Sequence, residues 1–252
     1  MIRVERHLDQ RGPFGEIVVA RADKRNALSV RMLEEMARGI ADLAADDRLG
    51  ALVVRGDGRF FCAGFDLPAC LDDPEQLRGM LRGLSSVVRG LRRFPRPVVL
   101  AVQGGAVAGG CALLGGADVV VVDRSAKLGY PVLKLGISPA VTAPMLRLLG
   151  RACRERLFDP ELIGAEEAVR IGLAHIQVDL PDDVVPRAQT EAMKFAVKPA
   201  AAVARTRAWL NEIEGSLGDA EFDRALEVSL SLVGSPEERG LLAAVLGKPR
   251  GD

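Results

Sequence analysis

The sequence predicts an α/β fold with largely parallel strands. Three observations carry this. Short apolar runs alternate with stretches of helical periodicity through the first two thirds of the chain. Glycine-rich turns separate them, most densely between residues 104 and 116. From Pro181 onward the pattern is helical only. Strands that alternate with helices and close on glycine turns favour parallel pairing through crossovers.

Each element follows from its residues. Ile2–Arg6 and Glu16–Arg21 are expected strands, with Gly12-Pro13 marking the turn between them. Ser29 is placed to cap a helix in which Leu33, Met36, Ile40 and Leu43 recur at helical spacing. Ala51–Arg55 is a short apolar strand closed by Gly56-Asp57-Gly58. Leu77–Leu91 is an expected helix, ended by Pro95 and Pro97, and Val98–Val102 an expected strand. A glycine-rich stretch, a helical Cys111–Gly116 and a strand Asp118–Val122 follow. In the tail, Phe222, Ala225, Leu226, Ser229, Leu230 and Val233 form one apolar stripe and Leu241, Leu242, Val245 and Leu246 another. Such stripes must pack on something, either the chain's own core or another subunit.

Composition narrows the function classes. The 252 residues are 48% hydrophobic, enough to bury a sizeable core. Lys+Arg and Asp+Glu are 34 each, so the balance lacks the basic excess that nucleic-acid binding needs. Cys62, Cys70, Cys111 and Cys153 show no CxxC spacing, and His7 and His175 are the only histidines, so no metal site is expected. Met1–Gln10 carries charges throughout and has no apolar signal-peptide core. The run Ala117–Val122 is interrupted by Asp118 and far too short to span a bilayer. A cytoplasmic protein with reduced thiols and no membrane partner is the expectation.

Two segments are built to carry chemistry. Arg59-Phe60-Phe61-Cys62-Ala63-Gly64-Phe65-Asp66-Leu67 follows one strand, and Gln103-Gly104-Gly105-Ala106-Val107-Ala108-Gly109-Gly110-Cys111 follows another. Each is a strand entering a small-residue turn, where glycine lets the backbone approach a ligand closely. N–H groups converging from two such turns would make an oxyanion hole. Taken singly, each is as well explained as an ordinary tight turn.

Together and in this order the segments resemble the crotonase (enoyl-CoA hydratase/isomerase) superfamily. The resemblance extends to Asp23-Lys24-Arg25-Asn26-Ala27-Leu28-Ser29, Ala126-Lys127-Leu128-Gly129-Tyr130-Pro131, Lys134-Leu135-Gly136-Ile137, Ala165-Glu166-Glu167-Ala168 and Ile171-Gly172-Leu173. It spans about residues 2–246. It implies a spiral of ββα units (ClpP-like) over residues 1–190, holding the acyl-CoA site, and a C-terminal helical trimerisation region over 191–252. It further implies a homotrimer or hexamer (dimer of trimers). No cofactor is bound tightly; coenzyme A enters as part of the substrate. The thioester carbonyl would sit between the backbone N–H groups of Phe65 and Gly109, stabilising an enolate. Lys24, Ala27, Leu28, Ala63, Asp66 and Leu67 would surround the CoA. Lys24 reads equally as a solvated lysine, and Asp66 reads more simply as a turn or helix cap.

The chain departs from the family where acid–base chemistry is concerned. The positions of the two hydratase glutamates are Ala112 and Val132, and neither side chain can move a proton. Ser138–Thr142 holds no carboxylate either. Tyr130 remains as a catalytic candidate by its place in the segment, against the plainer role of a core tyrosine. Isomerase or lyase chemistry is then more compatible than hydration. A catalytically silent acyl-CoA-binding protein is the alternative.

Overall fold

A computed structural model describes residues 1–146 and 154–247. Cys153 lies outside the described residues. Six strands form the main sheet in the order β1 (Ile2–His7), β2 (Phe14–Val19), β3 (Ala51–Gly56), β4 (Val98–Val102), β6 (Val119–Asp123), β9 (Ile176–Val178). Only β1 and β2 pair antiparallel; the rest of this sheet is parallel. A smaller sheet joins β5 (Gly105–Val107), β7 (Lys127–Gly129) and β8 (Ile163–Gly164). The parallel order demands crossovers, and these supply the covering helices.

One face of the main sheet carries α1 (Val30–Ala44) and α2 (Pro74–Arg92). Ser29 Oγ accepts from Met32 N–H and caps α1, as expected. Asp73 Oδ1 accepts from Glu75 N–H and caps α2, so this acid belongs to a helix start. The opposite face, with Ala51, Val53, Val99, Ala101 and Val121, is covered by Val184, Ala188 and Ala192 of a later helix. That helix spans Val184–Ala196 and so runs across residue 190. The short helices α3 (Gly109–Ala112), α4 (Ala143–Leu146) and α5 (Ala165–Arg170) precede it, and it is α6 here.

Three helices follow: α7 (Ala200–Ile213), α8 (Ala220–Leu230) and α9 (Pro236–Leu246). The first tail stripe packs on its own chain. Phe222, Val233 and Leu242 are fully or nearly buried in the main core, and Leu226 and Leu230 pack against it. Arg89 and Arg93 of α2 lie over the Phe222 ring at 5.3 and 5.5 Å. Arg207 of α7 is buried; it pairs with Asp118 at 2.8 Å and donates to the carbonyls of Leu91, Arg92 and Phe94 at the end of α2. Carbonyls at a helix end lack their usual N–H partners four residues on, and although Leu91 carbonyl also accepts from Phe94 N–H, the guanidinium helps to close the helix.

Candidate functional site

Two strand ends and three loops meet at the site. Asn26 is wholly buried and organises the first loop. Its Oδ1 accepts from Arg21 N–H at 2.8 Å, and its Nδ2 donates to the carbonyls of Asp57 and Phe60. The amide thus joins the 21–28 loop to the turn after β3. Gln103 Nε2 donates to Gly56 and Gly58 carbonyls, and buried Asp123 accepts from Gly104 N–H at 2.6 Å.

Segment 61–66 threads between the two neighbours so held. Cys62 N–H donates to Gly105 carbonyl and Val107 N–H to Cys62 carbonyl on one side. Ala63 N–H donates to Arg25, Leu28 N–H to Gly64 and Asp66 N–H to Leu28 on the other. Backbone groups here are paired in turn, as buried ones must be. The N–H groups of Phe65 and Gly109 have no acceptor among the described residues.

The two are close. Gly64 has φ 94°, and a Cβ there would stand 3.0 Å from Val107 O and 3.4 Å from Gly109 N. A Cβ at Gly109 would stand 2.9 Å from Phe65 Cε1. No larger residue fits either position without moving its neighbour. Ala108, which precedes Gly109, is held at φ 51°, ψ −118°, with its N–H donated to Gly129 carbonyl.

Phe65 and Gly109 line an apolar cavity of about 60 Å³. Ala63 and Leu67 from the first turn line it too, as do Leu81 and Leu84 from α2. Tyr130, Val132, Leu135 and Ile137, then Ser138, Pro139, Val141 and Thr142, form the remainder. None of the lining residues is a carboxylate, and Val132 occupies one of the two expected glutamate positions. Ala112, the other, is buried on α3. The Tyr130 hydroxyl donates to Cys111 carbonyl at 3.0 Å, and the residue is buried. Burial pushes the Cys62 thiol up to about 12, which keeps it protonated and inert.

The six expected CoA contacts divide. Ala63 and Leu67 line the cavity. Lys24 is exposed and Ala27 half-buried in the 21–28 loop, and neither lines the cavity. Leu28 has its side chain in the hydrophobic core, so only its backbone is placed beside segment 61–66. Asp66 stands at the first position of a short 3-10 turn, yet its side chain makes no capping bond; it pairs instead with Arg21 at 2.7 Å. The expectation of a cap is corrected here: the nearby guanidinium, which also donates to Ala27 carbonyl, offers the stronger partner.

Asn26, the leucines of α2 and the 135–142 wall all lie in segments named from the sequence, but none of them was given a role in the site there. Asn26 had a signal in its polar character between Arg25 and Ala27, since a left-handed turn favours asparagine, and its φ is 58°. The wall at 135–142 is made of 3-10 turns with no periodic pattern to find.

Among the described residues, Glu5, His7 and Glu16 also approach one another within 4.8 Å on β1 and β2. Glu16 there is already bonded to Arg55 and Gln189, and the group takes no part in the cavity. No helix among the described residues is long and apolar enough to cross a membrane.

Comparison with known proteins gives this geometry a context. The sequence model of the enoyl-CoA hydratase/isomerase family matches residues 12–224. A probable enoyl-CoA hydratase of Bacillus subtilis (strain 168) is 33% identical over 178 residues, covering 69% of each chain. The 1,2-epoxyphenylacetyl-CoA isomerase of Escherichia coli (strain K12) is 29% identical over 243 residues, covering 92% of this chain and 91% of that one. An enoyl-CoA hydratase/isomerase structure from Xanthobacter autotrophicus Py2 has a TM-score of 0.84 at 27% identity, covering 98% of this chain and 93% of that one.

Proposed function

The chain belongs to the enoyl-CoA hydratase/isomerase family, and on that premise we propose that it binds an acyl-CoA thioester and stabilises its enolate with the N–H groups of Phe65 and Gly109. The observation that carries this reading is the pair of unaccepted donors opening on an apolar cavity. A thioester oxygen placed between them would gain two hydrogen bonds as it becomes charged. Each such donor is worth ~10²–10³ in rate, because it is aimed before the reaction starts. Lys24, Ala27, Leu28, Ala63, Asp66 and Leu67 would flank the CoA. In this reading Asp66 acts by fixing Arg21 and the loop, and Lys24 meets a phosphate as a point charge. CoA arrives with the substrate, and the protein works in the cytoplasm.

Hydration is not the favoured reaction. It needs one group to deprotonate water and another to protonate the α-carbon, and a positioned group contributes ~10²–10⁴-fold. Ala112 and Val132 offer neither. Isomerase or lyase chemistry through the enolate makes smaller demands. Tyr130, a catalytic candidate by its place in the segment, has a dissociable proton, although its hydroxyl donates to Cys111 carbonyl. The cavity wall without a carboxylate also favours a second reading, a silent acyl-CoA-binding protein.

Calorimetry with acyl-CoA esters, beside turnover assays on a panel of them, tests the proposal. Acyl-CoA should bind, and crotonyl-CoA hydration should run at least ~10²–10⁴-fold below that of a relative carrying both glutamates. Hydration near the diffusion limit would refute the assignment of chemistry. Binding with no turnover of any ester would favour the second reading.

A further inference from the structure

We infer that Ser229 sets the length of acyl group this protein accepts, and that the accepted group is short and aliphatic; this rests on the acyl-CoA reading above.

The size argument comes first. An apolar cavity of about 150 Å³ is what a benzene ring occupies. The cavity here is about 60 Å³, with an apolar lining apart from the hydroxyl of Tyr130, which is bonded to Cys111 carbonyl, and those of Ser138 and Thr142. The last two hydroxyls are engaged within their own turn. Ser138 Oγ accepts from Ala140 N–H, and Thr142 Oγ1 donates to Pro139 carbonyl. An acyl tail of about two to four carbons fits such a space. An aromatic ring or a longer chain needs the wall to move.

The wall that would have to move is the 3-10 turn Pro139–Thr142, three of whose residues (Pro139, Val141 and Thr142) line the cavity together with the preceding Ser138. Ser229 of α8 is wholly buried against it. Its Oγ accepts from Val141 N–H at 2.9 Å and donates to Ser138 carbonyl at 2.9 Å. Among the described residues, no other side chain from a distant element bonds this turn. Ser229 is in turn immobilised through α2. Arg78 donates to Leu230 and Val233 carbonyls, and Arg89 pairs with Asp219 and Asp223. The same helix α2 sends Leu81 and Leu84 into the cavity. The near and far walls are therefore tied to one another through α8, and Ser229 is the last link.

Removing the hydroxyl leaves a buried N–H and a half-buried carbonyl without that partner. Such groups move to find new ones, since an unsatisfied buried group is costly. The turn is then released and the cavity can lengthen. Ser229 is a positioning residue: it touches the wall and not the ligand.

The test is calorimetric affinity for free CoA, acetyl-CoA, butyryl-CoA, hexanoyl-CoA and octanoyl-CoA. The unaltered protein should bind butyryl-CoA at least tenfold more tightly than octanoyl-CoA. Ser229→Ala should lose most of that ratio while its affinity for free CoA stays unchanged. Ser229→Thr, which keeps the hydroxyl, should retain the cut-off, and Ser229→Val, of the same shape without it, should not. The Thr/Val pair decides the matter if the alanine variant does not fold. A cut-off unmoved in both Ala and Val variants would overturn the role of Ser229. Octanoyl-CoA bound as tightly as butyryl-CoA by the unaltered protein would overturn the short-chain assignment. No binding of any CoA ester would instead overturn the acyl-CoA reading, and this inference with it.

Discussion

Ala108 occupies backbone space that L-residues avoid, with φ 51° and ψ −118°. Conformations of this kind cost of order 1–3 kcal/mol and persist where the surroundings impose them. Here the imposition is visible: Ala108 N–H is fixed to Gly129 carbonyl, its own carbonyl accepts from Ala112, and Gly109 must turn towards Phe65. Replacing alanine by glycine usually destabilises through unfolded-chain entropy, by up to about 1 kcal/mol. At this position relief of strain outweighs that cost. Ala108→Gly should raise the melting temperature by roughly 2–4 °C, the response expected for about 1 kcal/mol in a chain of this size. A fall in calorimetric melting temperature would mean that the local energy is relaxed. The strain was invisible in the sequence. Gly64 and Gly109 announced a tight approach, but an alanine beside them carries no mark of its dihedral angles.

Among the elements, β9 is the shortest strand of the main sheet and lies at its edge. His175 extends its attachment. Its backbone N–H donates to Val120 carbonyl, and its imidazole Nδ1 accepts from Val120 N–H at 2.9 Å. The ring thus stands in for a missing strand carbonyl. Burial lowers its pKa below the ordinary histidine value, with Asp118 partly opposing. The folded state therefore binds fewer protons than the unfolded chain as the pH falls below about 6.5. Stability from this group is complete above that pH and is lost as pH drops through the depressed folded value. Thermal melts between pH 7.5 and 5.5 should show the loss, and His175→Asn, whose Oδ1 can accept the same bond, should flatten it. An equal slope in both proteins would remove His175 from the account. The larger elements, α1 with its Ser29 cap and the strands β3 and β4, were legible because their periods ran long enough to see. Strands β5, β7 and β8 have two or three residues each, too few for any period, yet β5 and β7 carry the site. The tail stripe was legible as a buried face. Periodicity reports that a face is covered and is silent about what covers it, so Phe222 and Leu226 were open to the chain's own core or to another subunit, and they pack on α2 and the cavity wall.

For the whole molecule, what remains exposed is informative. Trp209, Leu210 and Ile213 at the end of α7 are 57%, 44% and 60% exposed, and Leu217 follows at 47%. They are near one another in sequence, and an apolar patch of this kind is a usual mark of an interface. Burial is worth ~25 cal/mol per Å². Closed cyclic symmetry is the common way to hide such a patch. We propose that α7, and not the Phe222 stripe, meets the partner in a homotrimer or a dimer of trimers. Light scattering should give three or six times the chain mass of 26.9 kDa, and Trp209→Lys should lower it. A mass of one chain for the unaltered protein would exclude the assembly.

The tie between Ser229 and the 138–142 turn also has a meaning in time. A ribosome makes the chain from residue 1 onward, while a packed core folds as a unit, and the main core here runs from Ile17 to Leu242. Both backbone donors, at 65 and 109, exist long before residue 229 has been synthesised. A product ended before α8 lacks Phe222 from the main core as well as Ser229 from the cavity wall. In the finished protein α8, one of the last two described helices to be made, fixes that wall. The wall that ends the cavity is thus complete only when nearly the whole chain has been synthesised.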